Sequence, residues 1–167
     1  MQEDREHLIA CIPRLRRYAR ALVGDRAAAD DLVQDTVERG WRKLSTWRRG
    51  SDMRAWLFGI MHNLHVDQRR RHAMPTDAFD ETHEPMADAQ HEKVLEMRDL
   101  ESALRMLPAE QREILLLVAL EEMPYAEVAA TLNLPIGTVM SRLARARQKL
   151  RAQMEGRPMT SPLKVVK

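Results

Sequence analysis

The sequence predicts an all-α protein built from two small helical domains. Apolar side chains recur at spacings of three and four residues along most of the 167-residue chain. Apolar residues make up 44% and charged residues 31%, which is typical of a soluble helical protein. Aromatic residues are only 4%, which disfavours a β-sandwich. A strongly acidic segment separates the two helical parts, so we expect two modules joined by a flexible linker.

The first helical part spans residues 4–71. Pro13 either kinks one helix or opens a second one, because proline is tolerated only in the first turn of a helix. Gly24 predicts a helix end, and Asp25 is suited to cap the next helix, expected over residues 27–44 with Leu44 on its apolar face.

After a break at residues 50–52, a third helix is predicted. It is amphipathic, with apolar side chains at three- and four-residue spacings: Met53, Trp56, Leu57, Ile60, Met61 and Leu64. This spacing makes Trp56 a core residue. The helix closes on three arginines at residues 69–71, a charge suited to a helix C-terminus.

Residues 76–92 carry six acidic side chains and no Lys or Arg, with few large apolar residues to anchor them. This composition predicts a flexible acidic linker. We therefore expect a first module over residues 1–75, the linker over 76–92, a second module over 93–155 and a disordered tail over 156–167.

The second module is predicted to hold four helices, the third short and the fourth long. The short helix over residues 125–132, a turn at Asn133 and a long polar helix from Ile136 to about Met154 form a helix-turn-helix pattern. The long helix turns apolar residues inward and donor side chains outward. The outward residues are Thr138, Ser141, Arg142, Arg145, Gln148 and Lys149. An ordinary solvated basic helix is the alternative, but the one-sided sorting favours DNA binding.

Two separate blocks of sequence resemble extracytoplasmic-function sigma factors. Residues 29–36 (ADDLVQDT) and 54–64 (RAWLFGIMHNL) resemble region two of that family. Residues 107–114 (LPAEQREI), 125–129 (YAEVA) and 135–147 (PIGTVMSRLARAR) resemble region four. The region-two and region-four blocks occur in the same order as in the family and are separated by a similar length of chain, so the resemblance covers about residues 5–155.

The resemblance implies a dissociable initiation subunit of bacterial RNA polymerase, serving a stress or envelope-signal regulon. Region two would bind the clamp helices of the largest core subunit and open the minus-ten element. Region four would read the minus-thirty-five element as duplex and lie near the flap, with the linker threaded through the core enzyme. A separate anti-sigma factor is the expected inhibitor. The chain itself would not be an enzyme, because core polymerase makes the bonds.

The resemblance also implies roles for individual residues. The acidic strip on the second helix would bind core polymerase: Asp30, Asp31, Leu32, Gln34, Asp35 and Glu38. Minus-ten DNA would be bound by Trp47, Arg48, Arg49, Ser51, Arg54, Asn63, Arg69 and Arg70. Minus-thirty-five DNA would be bound by Thr138, Ser141, Arg142, Arg145 and Lys149. For Trp47, capture of an unpaired base and simple cover of the bundle end both remain open.

Other functions find little support. No metal site, cofactor or small-molecule substrate is expected, because His62, His65 and His72 lie among arginines that disfavour a cation. Cys11 is either a small buried apolar residue or a redox site. No membrane insertion is expected, and the protein is predicted to be cytoplasmic. The competing function is a stand-alone helix-turn-helix regulator, which would bind its operator tightly without polymerase.

Overall fold

The computed structural model describes the backbone of residues 1–72 and 92–156, and side chains except those of residues 92–97. Within these ranges the chain is helical, and the all-α prediction is confirmed. The α-helices are α1 (Gln2–Val23), α2 (Arg26–Arg42), α3 (Met53–His72), α4 (Glu92–Met106), α5 (Ala109–Ala119), α6 (Tyr125–Leu132) and α7 (Ile136–Met154). The predicted linker, except its last residue, and the predicted tail beyond Gly156 lie outside the described residues.

The first module consists of α1, α2 and α3. α1 runs through Pro13 as one helix and ends at Gly24, whose φ of 81° places it in the left-handed region that favours glycine. The Asp25 side chain accepts a hydrogen bond from the Ala28 amide at 3.3 Å, so the predicted cap is confirmed. α2 ends at Arg42, and Leu44 is buried in a short 3-10 turn rather than on α2 as predicted.

The core of this module lies where the three helices meet. Leu8, Leu15 and Leu22 of α1 are fully buried, as are Leu32 of α2 and Leu57 of α3. The rings of Tyr18 and Phe58 meet edge to face with centroids 4.7 Å apart. These contacts join α1 to α3.

The second module packs α5 and α6 against α7. The apolar run of α5 is buried, as its composition predicted. The inner face of α7, formed by Val139, Leu143 and Ala146, is buried as well and packs toward α5. Asn133 has φ 55° and ends α6, and the Leu134 amide donates to the Ala129 carbonyl at 2.9 Å. The helix-turn-helix is therefore formed as predicted.

The two modules pack against each other. α1 contacts α5, and α3 contacts α6. The approach of α3 to α6 is close at Gly59, where an added methyl group would lie 3.5 Å from the Thr131 carbonyl oxygen. The sequence had left the relative placement of the modules open, and we refer to this docked form as the closed arrangement.

Candidate polymerase and nucleic-acid interfaces

The acidic strip of α2 faces solvent. Asp30, Asp31, Asp35 and Glu38 are exposed, as is Gln34. Leu32, however, has no exposed surface and belongs to the module core. The prediction that Leu32 contacts a partner directly is therefore wrong, because the side chain at that position of the helix turns inward.

A groove of about 730 Å³ lies beside the strip, between α1 and α2. Its apolar lining includes Ile12, Val33 and Val37, and its end is formed by Trp41, which is 43% exposed. The Arg5 guanidinium lies 5.2 Å from the centre of the Trp41 ring. Two acidic residues of the strip and two arginines also line the groove, and an apolar groove with a rim of mixed charge is suited to an amphipathic helix.

The loop before α3 is well ordered by local hydrogen bonds. The Ser51 hydroxyl donates to the Arg48 carbonyl at 2.6 Å, and Asp52 accepts from the Arg54 amide at 2.9 Å. Trp47 is half-buried against the module core, and its Nε1 is buried without an acceptor in the part of the chain the structure describes. In the closed arrangement Trp47 therefore covers the end of the bundle.

The predicted minus-ten cations differ in their environment. Arg48 and Arg70 are exposed, Arg69 is half-buried, and Arg49 pairs with Asp4 at 3.1 Å. Asn63 is exposed on α3. Arg48 and Arg49 lie in the loop before α3, whereas Arg69 and Arg70 lie in its last turn, so these cations are at opposite ends of the helix.

Arg54 is not available to DNA in the closed arrangement. Its side chain is only 17% exposed, and it donates to the Glu121 carbonyl of the second module at 3.0 Å. It also pairs with Asp52 at 3.4 Å. The Arg54 guanidinium, which was predicted to bind a DNA phosphate, is thus bound to other residues of the protein.

The outer face of α7 is partly covered. Ser141 and Arg145 are exposed, whereas Thr138, Arg142 and Lys149 are half-buried. Arg142 pairs with Glu110 at 3.8 Å and borders a groove of about 540 Å³ that Arg69 and Arg70 of α3 also line. Cations predicted for two different promoter elements therefore face one groove between the modules.

The most buried charge between the modules was not predicted. Glu121, in the turn after α5, has no exposed surface. Its carboxylate lies 3.6 Å from Arg14, 3.5 Å from Arg17 and 3.7 Å from Arg54, all in the first module. We call these four residues the Glu121 cluster. No signal in the sequence pairs them, since Glu121 lies 67 residues from Arg54 and 104 from Arg17.

Two histidines of α3 also lie at this boundary. His62 contacts the Glu113 carboxylate of α5 through its Nδ1. Burial, with smaller contributions from the neighbouring charges of Arg69 and Arg112, lowers the pKa of His65 to about 4. His65 is therefore neutral at neutral pH.

Among the described residues, no group of His, Cys, Asp or Glu is placed to hold a metal ion. No helix in the same ranges is long and apolar enough to cross a membrane. Burial raises the pKa of the Cys11 thiol, with a smaller contribution from Asp52. A thiol with a raised pKa is a weaker nucleophile at neutral pH, which favours the packing role for Cys11.

Comparison with known proteins agrees with this geometry. The family model described as "Sigma2 domain of PhyR" matches residues 8–62, and "Sigma-70, region 4" matches residues 97–150. The chain is 35% identical over 150 residues to the ECF RNA polymerase sigma factor EcfG of Rhodopseudomonas palustris, covering 89% of this chain and 83% of that protein. The chain belongs to the extracytoplasmic-function sigma factors.

A second relative of this sigma factor is SigE of Mycolicibacterium smegmatis, 36% identical over 145 residues, which cover 83% of this chain and 56% of that protein. Among solved structures, the sigma factor RpoE of Bartonella quintana, in complex with the anti-sigma factor NepR, matches with a TM-score of 0.77 at 30% identity. That match covers 93% of this chain and 98% of the other. CnrH, in complex with the cytosolic domain of CnrY, matches with a TM-score of 0.64 at 27% identity, covering 92% and 97%.

The two matched ranges coincide with the two modules of this sigma factor. The first contains most of α1, all of α2 and the first half of α3, with the acidic strip and the loop at Trp47. The second contains the helix-turn-helix and most of the basic face of α7. Arg14, Arg17 and Arg54 fall in the first match and Glu121 in the second, so the Glu121 cluster joins the two regions.

Proposed function

We propose that this sigma factor binds the core of a bacterial RNA polymerase and directs it to promoters through separate surfaces of its two modules. The observation that carries the proposal is the sorting of charge. α2 presents an exposed acidic strip, whereas α7 presents Arg145, Arg147 and Arg151 without an acidic residue between Ile136 and Arg151. The core enzyme carries out catalysis. Because this sigma factor would bind that enzyme, we place it in the cytoplasm.

Core binding is assigned to the outer face of α2. Asp31 and Asp35 stand one helical turn apart, and Gln34 and Glu38 extend the same face. The apolar groove beside it adds a surface to bury, while the exposed acidic strip sets the register of a basic partner. The predicted set, without Leu32, forms this surface.

Promoter opening is assigned to the loop before α3 and to residues along α3 itself. Arg48 and Arg49 in the loop and Arg69 and Arg70 in the last turn of α3 would hold phosphates, and Ser51 and Asn63 would contact bases. Trp47 would leave its place over the core to stack on an unpaired base. Arg54 would first have to leave Glu121.

Recognition of the minus-thirty-five element is assigned to α7. Ser141 and Arg145 are exposed for contact with base edges in a major groove, and Thr138, Arg142 and Lys149 flank them. Arg142 becomes fully accessible only when the groove between α3 and α7 opens. Region boundaries at residues 1–75 and 93–155 fit this division of labour.

The closed arrangement cannot read both promoter elements at once. Elements centred about 25 base pairs apart are separated by about 85 Å along B-form DNA. The two modules are in contact here, with Gly59 against Thr131. We infer that core binding separates them and that an anti-sigma factor, such as those bound to RpoE and CnrH, holds this sigma factor inactive.

A second candidate comes from the match of the first module to the Sigma2 domain of PhyR. A solved structure presents PhyR as an anti-anti-sigma factor. On that reading the chain would bind an anti-sigma factor without directing transcription itself.

Run-off transcription with purified bacterial core polymerase on a library of genomic fragments separates these functions. A sigma factor yields discrete transcripts only in its presence, and their upstream sequences give the promoter elements. If no transcripts form while the protein binds an anti-sigma factor, the second candidate replaces the first. Tight binding of duplex fragments without polymerase would instead indicate a stand-alone regulator.

The docking strip makes a specific prediction. Asp31→Arg with Asp35→Arg should abolish capture of core polymerase, because a repulsive contact replaces an attractive one, while the helical circular dichroism signal is retained. Asp99→Arg with Glu101→Arg on α4 introduces the same charge change outside the strip and should leave capture intact. Normal capture by the first variant would remove the strip from the interface.

A further inference from the structure

We propose that Arg14, Arg17 and Arg54 form a phosphate-binding site for promoter DNA and that Glu121 fills this site in the closed arrangement. The inference rests on the proposed function and adds to it a binding site and an internal competitor. Arg14 and Arg17 were not among the residues expected to bind DNA. Three features of the Glu121 cluster carry the inference.

The first feature is convergence. Arg14 and Arg17 lie three residues apart on α1 and therefore share a face, and Arg54 reaches the same point from the first turn of α3. Arg17 also donates to the Leu120 carbonyl at 3.4 Å. Within the described ranges, the ion pairs of Arg14 and Arg17 are made with Glu121 alone. The first module thus presents a cationic site whose acid comes from the second module.

The second feature is the imperfect fit of the carboxylate. The Oε2 atom of Glu121 is buried, lies 3.6 Å from Arg14 and 3.7 Å from Arg54, and has no hydrogen-bond partner in the part of the chain that the structure describes. A phosphodiester carries the same charge on two free oxygens and is not tethered to a packed turn. It can therefore approach the guanidinium groups to full hydrogen-bond distance.

The third feature is position. Arg54 directly follows the loop at residues 47–52 that is assigned to the minus-ten element. A DNA strand held by that loop would continue across Arg54 toward α1. Glu122, next to Glu121, has φ 54°, a conformation that non-glycine residues rarely adopt, so the turn that carries Glu121 has an unusual backbone.

These features make DNA binding and closure mutually exclusive at one site. Occupation of the arginines by phosphate leaves Glu121 without partners and disfavours docking of the modules. Because DNA binds only the open form at this site, Glu121 variants that weaken docking increase the apparent affinity for DNA, up to the affinity of a permanently open molecule. Glu121 is thus an intramolecular stand-in for a phosphate group.

The first experiment measures binding of the full chain to a fluorescent single-stranded oligonucleotide of mixed sequence, about 30 nucleotides long. Glu121→Gln keeps the shape of the side chain but removes its charge. We expect it to tighten binding at least about fivefold, the lower end of typical coupling between sites. Glu122→Gln is the matched control, since it removes one exposed negative charge from the next residue, and it should bind like the parent chain.

Glu121→Asp is a second variant, which keeps the negative charge but moves it away from the arginines because the side chain is shorter. Like Glu121→Gln, it should bind the oligonucleotide more tightly than the parent chain does. Thermal unfolding of each variant identifies any that does not fold. If both folded variants bind the oligonucleotide as the parent chain does, the competition between Glu121 and phosphate is refuted.

The second experiment tests the arginines themselves in the Glu121→Gln background, where no carboxylate at residue 121 competes with the DNA phosphate. Adding Arg17→Ala should lower the slope of log affinity against log salt by about 0.7, the value for one phosphate contact to a single strand. Adding Arg20→Ala, one turn along the same helix, is the control because Arg20 pairs with Asp30. An unchanged slope for Arg17→Ala, or an equal loss for Arg20→Ala, overturns the phosphate site.

Failure of this inference can be told apart from failure of the proposed function. Run-off transcription by the unaltered chain tests the proposed function alone. If that chain directs transcription while the Arg17 and Arg20 variants behave alike, only the phosphate site is wrong. A lower salt slope for Arg17→Ala supports the site whatever the run-off result.

Discussion

The guanidinium group of Arg112 shows how one side chain can close several helix ends. It donates to the Leu104, Arg105 and Leu107 carbonyls at 2.7, 2.9 and 2.9 Å, and to the Leu22 carbonyl at 2.8 Å. These carbonyls belong to the C-terminal ends of α4 and α1, where backbone acceptors lack helical partners. Arg112 therefore satisfies acceptors in both modules at once.

Replacement of Arg112 by Lys should lower the free energy of unfolding by about 3 kcal/mol, because an ammonium group cannot serve four carbonyls in the planar geometry of a guanidinium. Urea unfolding monitored by circular dichroism measures the change. Arg105→Lys is the control, since the Arg105 side chain donates to the Gly24 carbonyl at 3.1 Å from an exposed position. A loss below about 1 kcal/mol for Arg112→Lys would contradict this role.

His65 gives the stability a pH dependence. Its pKa falls from 6.5 to about 4 on folding, chiefly through burial, so the unfolded chain binds a proton more readily between these values. Stability is therefore full above about pH 6.5 and is lost as the pH falls toward 4. The part due to His65 should reach about 2 kcal/mol between pH 7 and pH 5.

Urea unfolding at both pH values tests this. His65→Leu should remove about 2 kcal/mol of the pH dependence, whereas His7→Gln at an exposed position of α1 should retain it. Equal pH dependence in the parent chain and His65→Leu would exclude His65 as its source.

At the scale of helices, the contact of α2 with α3 depends on a glycine. A methyl group on Gly40 would lie 2.7 Å from a terminal carbon of Leu57, a fully buried side chain that would have to shift. Gly40 thus lets the two helices approach closely, although alanine is the better helix former. Packing outweighs propensity at this position.

Gly40→Ala should accordingly destabilise the chain by about 1 kcal/mol, the overpacking cost less the gain in helix propensity. Gly137→Ala, in the first turn of α7 with no neighbouring atom within 4 Å, should stabilise it by about 0.5 kcal/mol. Chemical denaturation of the two variants gives both values. Stabilisation by Gly40→Ala would show that Leu57 has room to yield.

At the scale of the whole molecule, docking of the modules combines a close helix contact with buried charge. Gly59 on α3 meets Thr131 on α6, His62 meets Glu113, and Glu121 meets the arginines of the first module. The atom nearest to a methyl group built on Gly59 is the Thr131 carbonyl oxygen, and Oε2 of Glu121 has no hydrogen-bond partner among the described residues. Such an interface is suited to release when a partner binds.

A larger side chain at Gly59 should open the molecule without disturbing either core. Gly59→Met places a long chain against the Thr131 carbonyl and should raise the radius of gyration in small-angle scattering, with the helical signal unchanged. Gly59→Ala is the control, because a methyl group at 3.5 Å is an ordinary contact. An unaltered radius of gyration for Gly59→Met would show that docking does not depend on this approach.

Most of the local structure follows from the sequence alone. The spacing of apolar residues, the Asp25 cap and the turn at Asn133 predict the helices and the helix-turn-helix, because these signals act over one or two turns of chain. The acidic face of α2 and the basic face of α7 follow from the same 3.6-residue period. The end of α2 is less well predicted, since Leu44 fits the apolar pattern of α2 but lies in a separate turn.

Only the tertiary structure decides which of these residues meet. Leu32 shares a stretch of sequence with the acidic strip, yet its angular position on α2 directs it into the core. The sequence predicts that Arg54 and Arg142 are available to DNA, yet in the closed arrangement they pair with Glu121 and Glu110. These contacts join residues far apart in the chain, and the 3.6-residue helical repeat carries no information about them. The helices and the distribution of charge on their surfaces therefore follow from local sequence patterns, whereas the closed arrangement depends on the complementarity of two folded modules.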